Sequence, residues 1–81
     1  MFFVYIIYSQ KLDRYYVGYT SDLQSRITEH NTGISSYTSK AADWIMKYHE
    51  KFTSREEAMA IERIIKSKKS RRYIEYLISK K

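Results

Sequence analysis

The sequence predicts an α+β fold, a three-stranded antiparallel sheet flanked by helices in the order ββαβαα. Three observations carry this expectation. Two short runs rich in β-branched and aromatic residues, FFVYIIYS (2–9) and RYYVGYT (14–20), are separated by four residues, as in a hairpin. Two helix-opening patterns, Ser21 with Gln24 and Ser54 with Glu57, each precede a stretch whose apolar residues recur three or four apart. Between these stretches WIMKYHEKF (44–52) alternates well enough for a third strand. Short strands with helices to one side of the hairpin in sequence read as α+β, with an antiparallel sheet.

The elements follow in order. Gln10 to Asp13 form the hairpin loop. With an even number of loop residues, odd positions on the first strand face even positions on the second. Tyr5, Ile7, Tyr16 and Gly18 then share one face, and a one-residue slip would separate Tyr5 from Tyr16. The first helix is expected over Ser21–Asn31, with Leu23 and Ile27 as its apolar stripe and Gly33 as its stop. Ile34 to Ala42 read as a polar loop, and Trp44 as a core anchor at the start of the third strand. The second helix runs from Ser54 to about Lys68 with Ala58, Ile61 and Ile65 inward. Ser70 caps a last helix whose inner face holds Tyr73, Ile74, Leu77 and Ile78.

A chain of 81 residues is expected to form one domain over 1–81. With 43% hydrophobic residues it has the material for one core and leaves none for a separate targeting module. The absence of Cys excludes disulfides and thiolate metal sites, which suits a reducing cytoplasm. The longest apolar run, Phe2 to Tyr8, is too short to span a bilayer, so no membrane role is expected. A net charge of +6 suits a polyanionic partner, of which nucleic acid is the commonest, although small soluble domains also reach it.

A few residues are of types and at spacings that chemistry could use. A Gly inside a strand marks a close approach by a ligand or another backbone, so Gly18 between Tyr5 and Tyr16 hints at a bound group. Arg26 and His30 stack on one side of the first helix and can reach over the end of the sheet. Arg suits bidentate phosphate contact, and His suits proton transfer near neutral pH. Glu62 lies about 40° from Ala58 and about 60° from Ile65 around its helix, so it borders the apolar face. Its ordinary explanation is an i,i+4 pair with Lys66. At such a boundary a lone carboxylate, with substrate phosphate and waters, can also hold Mg²⁺. The run KSKKSRR places Lys66, Lys68, Lys69, Arg71 and Arg72 at a helix junction, as a solvated face or a phosphate-backbone contact. His49 reads as structural.

These residues in this order resemble the GIY-YIG nuclease domain. FVY (3–5) stands where the family's first triplet falls, and YVG (16–18) where the second does, eleven residues on from Tyr to Tyr. Arg26, His30 and EAMAIERIIK (57–66), with Glu62 in the place of the family's metal-binding Glu, complete the pattern. The resemblance covers essentially the whole chain and is closest to small stand-alone bacterial members and to the incision domain of the excinuclease C subunit. It implies hydrolysis of a DNA phosphodiester with one divalent metal, Mg²⁺ or Mn²⁺, in repair or processing. Glu62 would bind the metal, and Arg26 the scissile phosphate. Tyr5 or Tyr16 would orient or deprotonate the attacking water, and His30 would assist removal of that proton. The metal and Arg26 would stabilise charge developing on the phosphoryl oxygens. Gly18 and the basic cluster would face the nucleic acid. The chain departs from the family at Phe3, where the first triplet has Gly, and on the last helix. There Ile74, Glu75 and Tyr76 occupy the region where many members carry Asn. With no DNA-reading domain, cutting of duplex or branched DNA without sequence specificity is expected, guided by structure or by a targeting partner protein. The alternative is a non-catalytic nucleic-acid-binding module of the same fold.

Overall fold

A computed structural model of the protein describes residues 1–34 and 38–80. The strand Phe2–Ser9 (β1) lies in the middle of a three-stranded sheet, between Arg14–Thr20 (β2) and Ile45–Phe52 (β3), both antiparallel to it. Its central place explains its composition. A strand covered on both faces reads as a near-continuous apolar run, and Val4, Tyr5, Ile6 and Ile7 are all buried. On one face Val4, Ile6, Val17 and Tyr48 pack against Ala58 and Ile65 of the helix Arg55–Lys68 (α2) and Leu77 of the helix Arg71–Lys80 (α3). On the other, Tyr5 and Ile7 pack with Ala41, Trp44 and the stripe Leu23 and Ile27 of the helix Leu23–Asn31 (α1). The three-stranded α+β fold and the order ββαβαα are those expected from sequence. No helix among the described residues is long and apolar enough to cross a membrane.

Pairing of Tyr5 with Gly18 and Ile7 with Tyr16 puts all four on one face, as the loop parity requires. On the β3 side Ile6 opposes Tyr48 and Ile7 opposes Met46, so Lys47 is an inserted residue that bulges the strand. Trp44 is buried just before β3 begins and anchors the core there.

The start of α1 differs from expectation. Its N-cap is Asp22, not Ser21, and the helix begins at Leu23. Asp22 accepts from the Ser25 backbone N–H at 3.1 Å and from the Ser25 hydroxyl at 2.9 Å, while its own N–H donates to Thr20 Oγ1 at 3.1 Å. A carboxylate wins over a hydroxyl here because it also meets the positive end of the helix dipole. Asp22→Ala should therefore cost about 1 kcal/mol in urea denaturation. Ser21→Ala should cost next to nothing, and equal costs would restore Ser21 as the cap.

The other ends agree with the sequence. Gly33 has φ +83, and Ile34 N–H reaches back to the Glu29 carbonyl at 3.2 Å, closing α1. Ser54 accepts from Glu57 N–H and Ser70 from Tyr73 N–H, both at 3.1 Å. Of the polar loop expected over 34–42, residues 35–37 lie outside the described residues. The N-terminal turn of α3 is tied to the hairpin. Arg71 donates to the Asp13 carboxylate at 2.7 Å and to its carbonyl at 3.1 Å, pairs with Glu75, and lies 5.2 Å over the Tyr15 ring.

Candidate active site

The site starts from a steric fact about Gly18. A Cβ there would meet the Tyr5 phenol oxygen at 2.5 Å and its Cζ at 2.7 Å, so the Tyr5 ring lies directly on the glycine. The close approach that Gly18 permits is made by the chain's own phenol, not by a ligand. Tyr5 is 1% exposed, and the ring of Tyr16, two residues before Gly18 on the same face, is 6.5 Å away. Tyr16 is only partly buried.

His30, on the last turn of α1, completes the aromatic group. It is fully buried, its ring 5.8 Å from Tyr5 and 5.0 Å from Tyr16. Its Nε2 is 2.7 Å from the Tyr5 hydroxyl oxygen, and its Nδ1 is 2.7 Å from Thr38 Oγ1. The Trp44 indole N–H in turn donates to the Thr38 carbonyl at 2.9 Å. Asn31 clamps the Trp44 backbone, accepting its N–H at 2.7 Å and donating to its carbonyl at 3.0 Å. Arg26 lies near enough to the Tyr5 phenol to pull its pKa down. In a neutral imidazole one ring nitrogen donates and the other accepts, so Tyr5 and Thr38 take opposite roles on either side of His30.

These contacts set protonation. Burial pushes the Tyr5 phenol up to about 12, with Arg26 opposing. Burial, and secondarily the Arg26 charge, lowers His30 to about 4. Both shifts oppose transfer of the proton from Tyr5 to His30. The pair is a rigid neutral support at neutral pH. The native imidazole resists protonation down to about pH 4, whereas the unfolded one takes a proton near pH 6.5. Its contribution to stability is therefore complete above about pH 6.5 and declines as pH falls through that window, by about 3 kcal/mol in all. The carboxylates Asp13, Asp22 and Asp43 are held below the usual value and act at lower pH. Urea titrations at pH 7 and pH 5 should show the decline in wild type and a flatter profile in His30→Gln. Parallel profiles would mean that His30 is charged in the native state.

Arg26 pairs with Glu29 at 2.8 Å, and that bond holds the guanidinium charged, against burial and with help from Tyr5. Glu62 comes from α2, which packs on the opposite face of the sheet from α1. It reaches the same place because β2 is an edge strand and Glu62 borders the buried stripe of α2, with its side chain 18% exposed. Its charge is felt at the Tyr5 phenol. Lys66 joins it to the cluster, 3.2 Å from the Glu62 carboxylate and 5.5 Å over the Tyr16 ring. Tyr5, Tyr16 and His30 thus stack over Gly18, with Arg26 near the Tyr5 phenol and Glu62 joined to Tyr16 through Lys66. No group of three or more His, Asp or Glu poised for a metal exists among the described residues. Glu62 alone can offer one hard oxygen ligand, which fits a divalent ion only if phosphate and water complete its shell.

The basic cluster is divided. Lys66 belongs to the site, Lys68 lies over the Tyr73 ring at 5.5 Å, and Arg71 is engaged by Asp13 and Glu75. Lys69 and Arg72 are exposed, Lys69 in the left-handed conformation at φ 48 between α2 and α3. His49 is exposed and meets Phe3 edge-on. Thr38, Asn31 and Asp22 were not anticipated from sequence. Only Asp22, three residues before Ser25 and at the head of the apolar stripe, carried a local signal.

Fold and cluster together define a small α+β domain with phenols, imidazole, guanidinium and a carboxylate gathered over one sheet edge. The profile of the GIY-YIG catalytic domain matches residues 1–74, and the chain belongs to that family, whose members are generally nucleases. It is 39% identical over 64 residues to a UPF0213 protein of Streptococcus pneumoniae serotype 4, an alignment covering 78% of this chain and 65% of that one. A UPF0213 protein of Streptococcus pyogenes serotype M1 is 40% identical over 57 residues, covering 69% and 62%. The chain thus spans less than two thirds of the length of these relatives. The solution NMR structure of a UPF0213 protein from Bacillus halodurans superposes with a TM-score of 0.62 at 36% identity, covering 100% of this chain and 86% of that one.

Proposed function

We propose that the protein is a divalent-metal-dependent DNA endonuclease acting in repair or processing within the cytoplasm, directed by DNA structure or a partner protein. The observation that supports this reading is the Tyr5–His30 pair with Tyr16 packed against it, Arg26 beside it and Glu62 linked to it through Lys66. Arg26 binds a non-bridging oxygen of the scissile phosphate, exchanging its Glu29 contact for the phosphate. Tyr16, the more exposed phenol, orients the attacking water through its hydroxyl oxygen, and takes the water's proton only after losing its own to solvent. Tyr5, locked between Arg26 and His30, holds the guanidinium in place, so His30 is a positioning residue. Glu62 would hold Mg²⁺ or Mn²⁺, which when bound supplies Lewis acidity at the phosphoryl oxygen. Arg26 is preorganised for the charge that builds in the transition state.

A nicking assay on linear and branched DNA with Mg²⁺, Mn²⁺ or EDTA tests the reading. Metal-dependent nicks that EDTA suppresses are expected. A second reading, a binding module without catalysis, is favoured by the existing Glu62–Lys66 pair and by the lack of a second acidic ligand among the described residues. It wins if DNA binds and no metal supports cutting.

A further inference from the structure

An open groove of about 960 Å³ rounds the outer edge of β2, from Tyr15 on the α3 side to Tyr16 on the site side, and is closed opposite by the α2–α3 junction. Such a volume is at the upper end of the roughly 300–1,000 Å³ found for ligand sites. Four cations line it, Arg14, Lys66, Lys69 and Arg71, against one carboxylate, Asp13. Asp13 is already bonded to Arg71 and to the Tyr8 hydroxyl, so its charge is spent. Lys66 and Arg71 also have ion-pair partners, whereas Arg14 and Lys69 are exposed and unpaired among the described residues.

We infer that this groove binds an unpaired DNA strand leading to or from the scissile phosphate. The inference rests on the phosphodiester reading of the Tyr16–Arg26–Glu62 cluster, to which the groove is continuous through Tyr16 and Lys66. Two features favour a single strand over a duplex. The cations share the groove with the Tyr15 and Tyr16 rings, and aromatic faces beside cations are what stack and hold unpaired bases. Among the described residues the outer edge of β2 is paired with no other strand, so its main-chain donors and acceptors are open to polar groups of a bound strand. The substrate class is thereby DNA with an unpaired flank, such as a flap or a frayed junction.

Binding in EDTA tests the groove without cutting. Fluorescence anisotropy would compare a blunt hairpin DNA with the same hairpin carrying a ten-thymidine tail, on either end. At least one tail should tighten wild-type binding about tenfold. The double variant Arg14→Gln, Lys69→Asn should reduce that gain to twofold or less, and the salt slope for the tailed probe should fall by about 1.4, or about 0.7 for each lost phosphate contact. Asn suits the left-handed conformation at Lys69, and both side chains are exposed, so a melting curve should match wild type. The inference is overturned if neither tail adds affinity, or if the double variant keeps the full gain. Tight binding of a polyglutamate peptide without any tail gain would instead make the groove a peptide site. A tail gain lost in the double variant supports the groove even if no DNA is cut. Cutting of blunt duplex without a tail gain supports the nuclease and overturns the groove.

Discussion

Glu62→Gln should abolish Mg²⁺- or Mn²⁺-dependent nicking while DNA binding stays equal or tightens slightly. The substitution keeps the side chain's size and removes the one carboxylate the cluster offers a cation. It also removes a charge that repels phosphate, and it releases Lys66 from its 3.2 Å pair. Arg26→Ala should slow nicking by roughly 10²–10³-fold, the usual cost of losing one preorganised transition-state contact. Binding should weaken less than the rate, because Arg26 touches the ground-state phosphate only once. The measurement is the nicking rate set against affinity for both variants. Neither should unfold the domain, because the partners left behind, Lys66 and Glu29, are 48% and 41% exposed and can regain water. A sharp fall in melting temperature for Glu62→Gln would show instead that the Glu62–Lys66 pair is structural.

Gly18→Ala should cost on the order of 3 kcal/mol of stability, from overpacking and the loss of a buried hydrogen bond. For a domain of this size that corresponds to a fall of about 12–24 °C in melting temperature. The cause is local. A methyl at Gly18 cannot coexist with a phenol oxygen at 2.5 Å, and Tyr5 is fixed by His30 on one side and the core on the other. Its ring would have to leave its position, taking the Arg26 and His30 contacts with it. Calorimetry of Gly18→Ala in wild type and in Tyr5→Leu separates this from a general intolerance of strand β2. Leucine ends short of the glycine, so in that background the alanine should cost less than about 1 kcal/mol. An equal cost in both would place the strain in the backbone.

Much of the site was legible because it depends on periodicity. A four-residue loop puts Tyr5, Tyr16 and Gly18 on one face, helix spacing stacks Arg26 with His30, and the angle from Ala58 and Ile65 brings Glu62 to the sheet edge. What stayed hidden depends on contacts between residues unrelated in period. Thr38 meets His30 from a loop eight residues on, and Asn31 clamps Trp44 across thirteen. Arg71 reads as one more cation in a basic run, and only the folded chain brings it to Asp13, fifty-eight residues away. The basicity of His30 was hidden for a related reason. A sequence shows that a histidine is present, but its basicity follows from burial, which here is complete.

The inserted Lys47 has a consequence for the free chain at high concentration. β3 forms the second open edge of the sheet, and a regular exposed edge is a template on which another copy can add a strand. The extra residue breaks the ladder halfway along, and Lys47 and Lys51 would bring like charges together if two such edges met. Deleting Lys47 should straighten the strand and lengthen its regular edge, and sedimentation at high concentration should then show more self-association than in wild type.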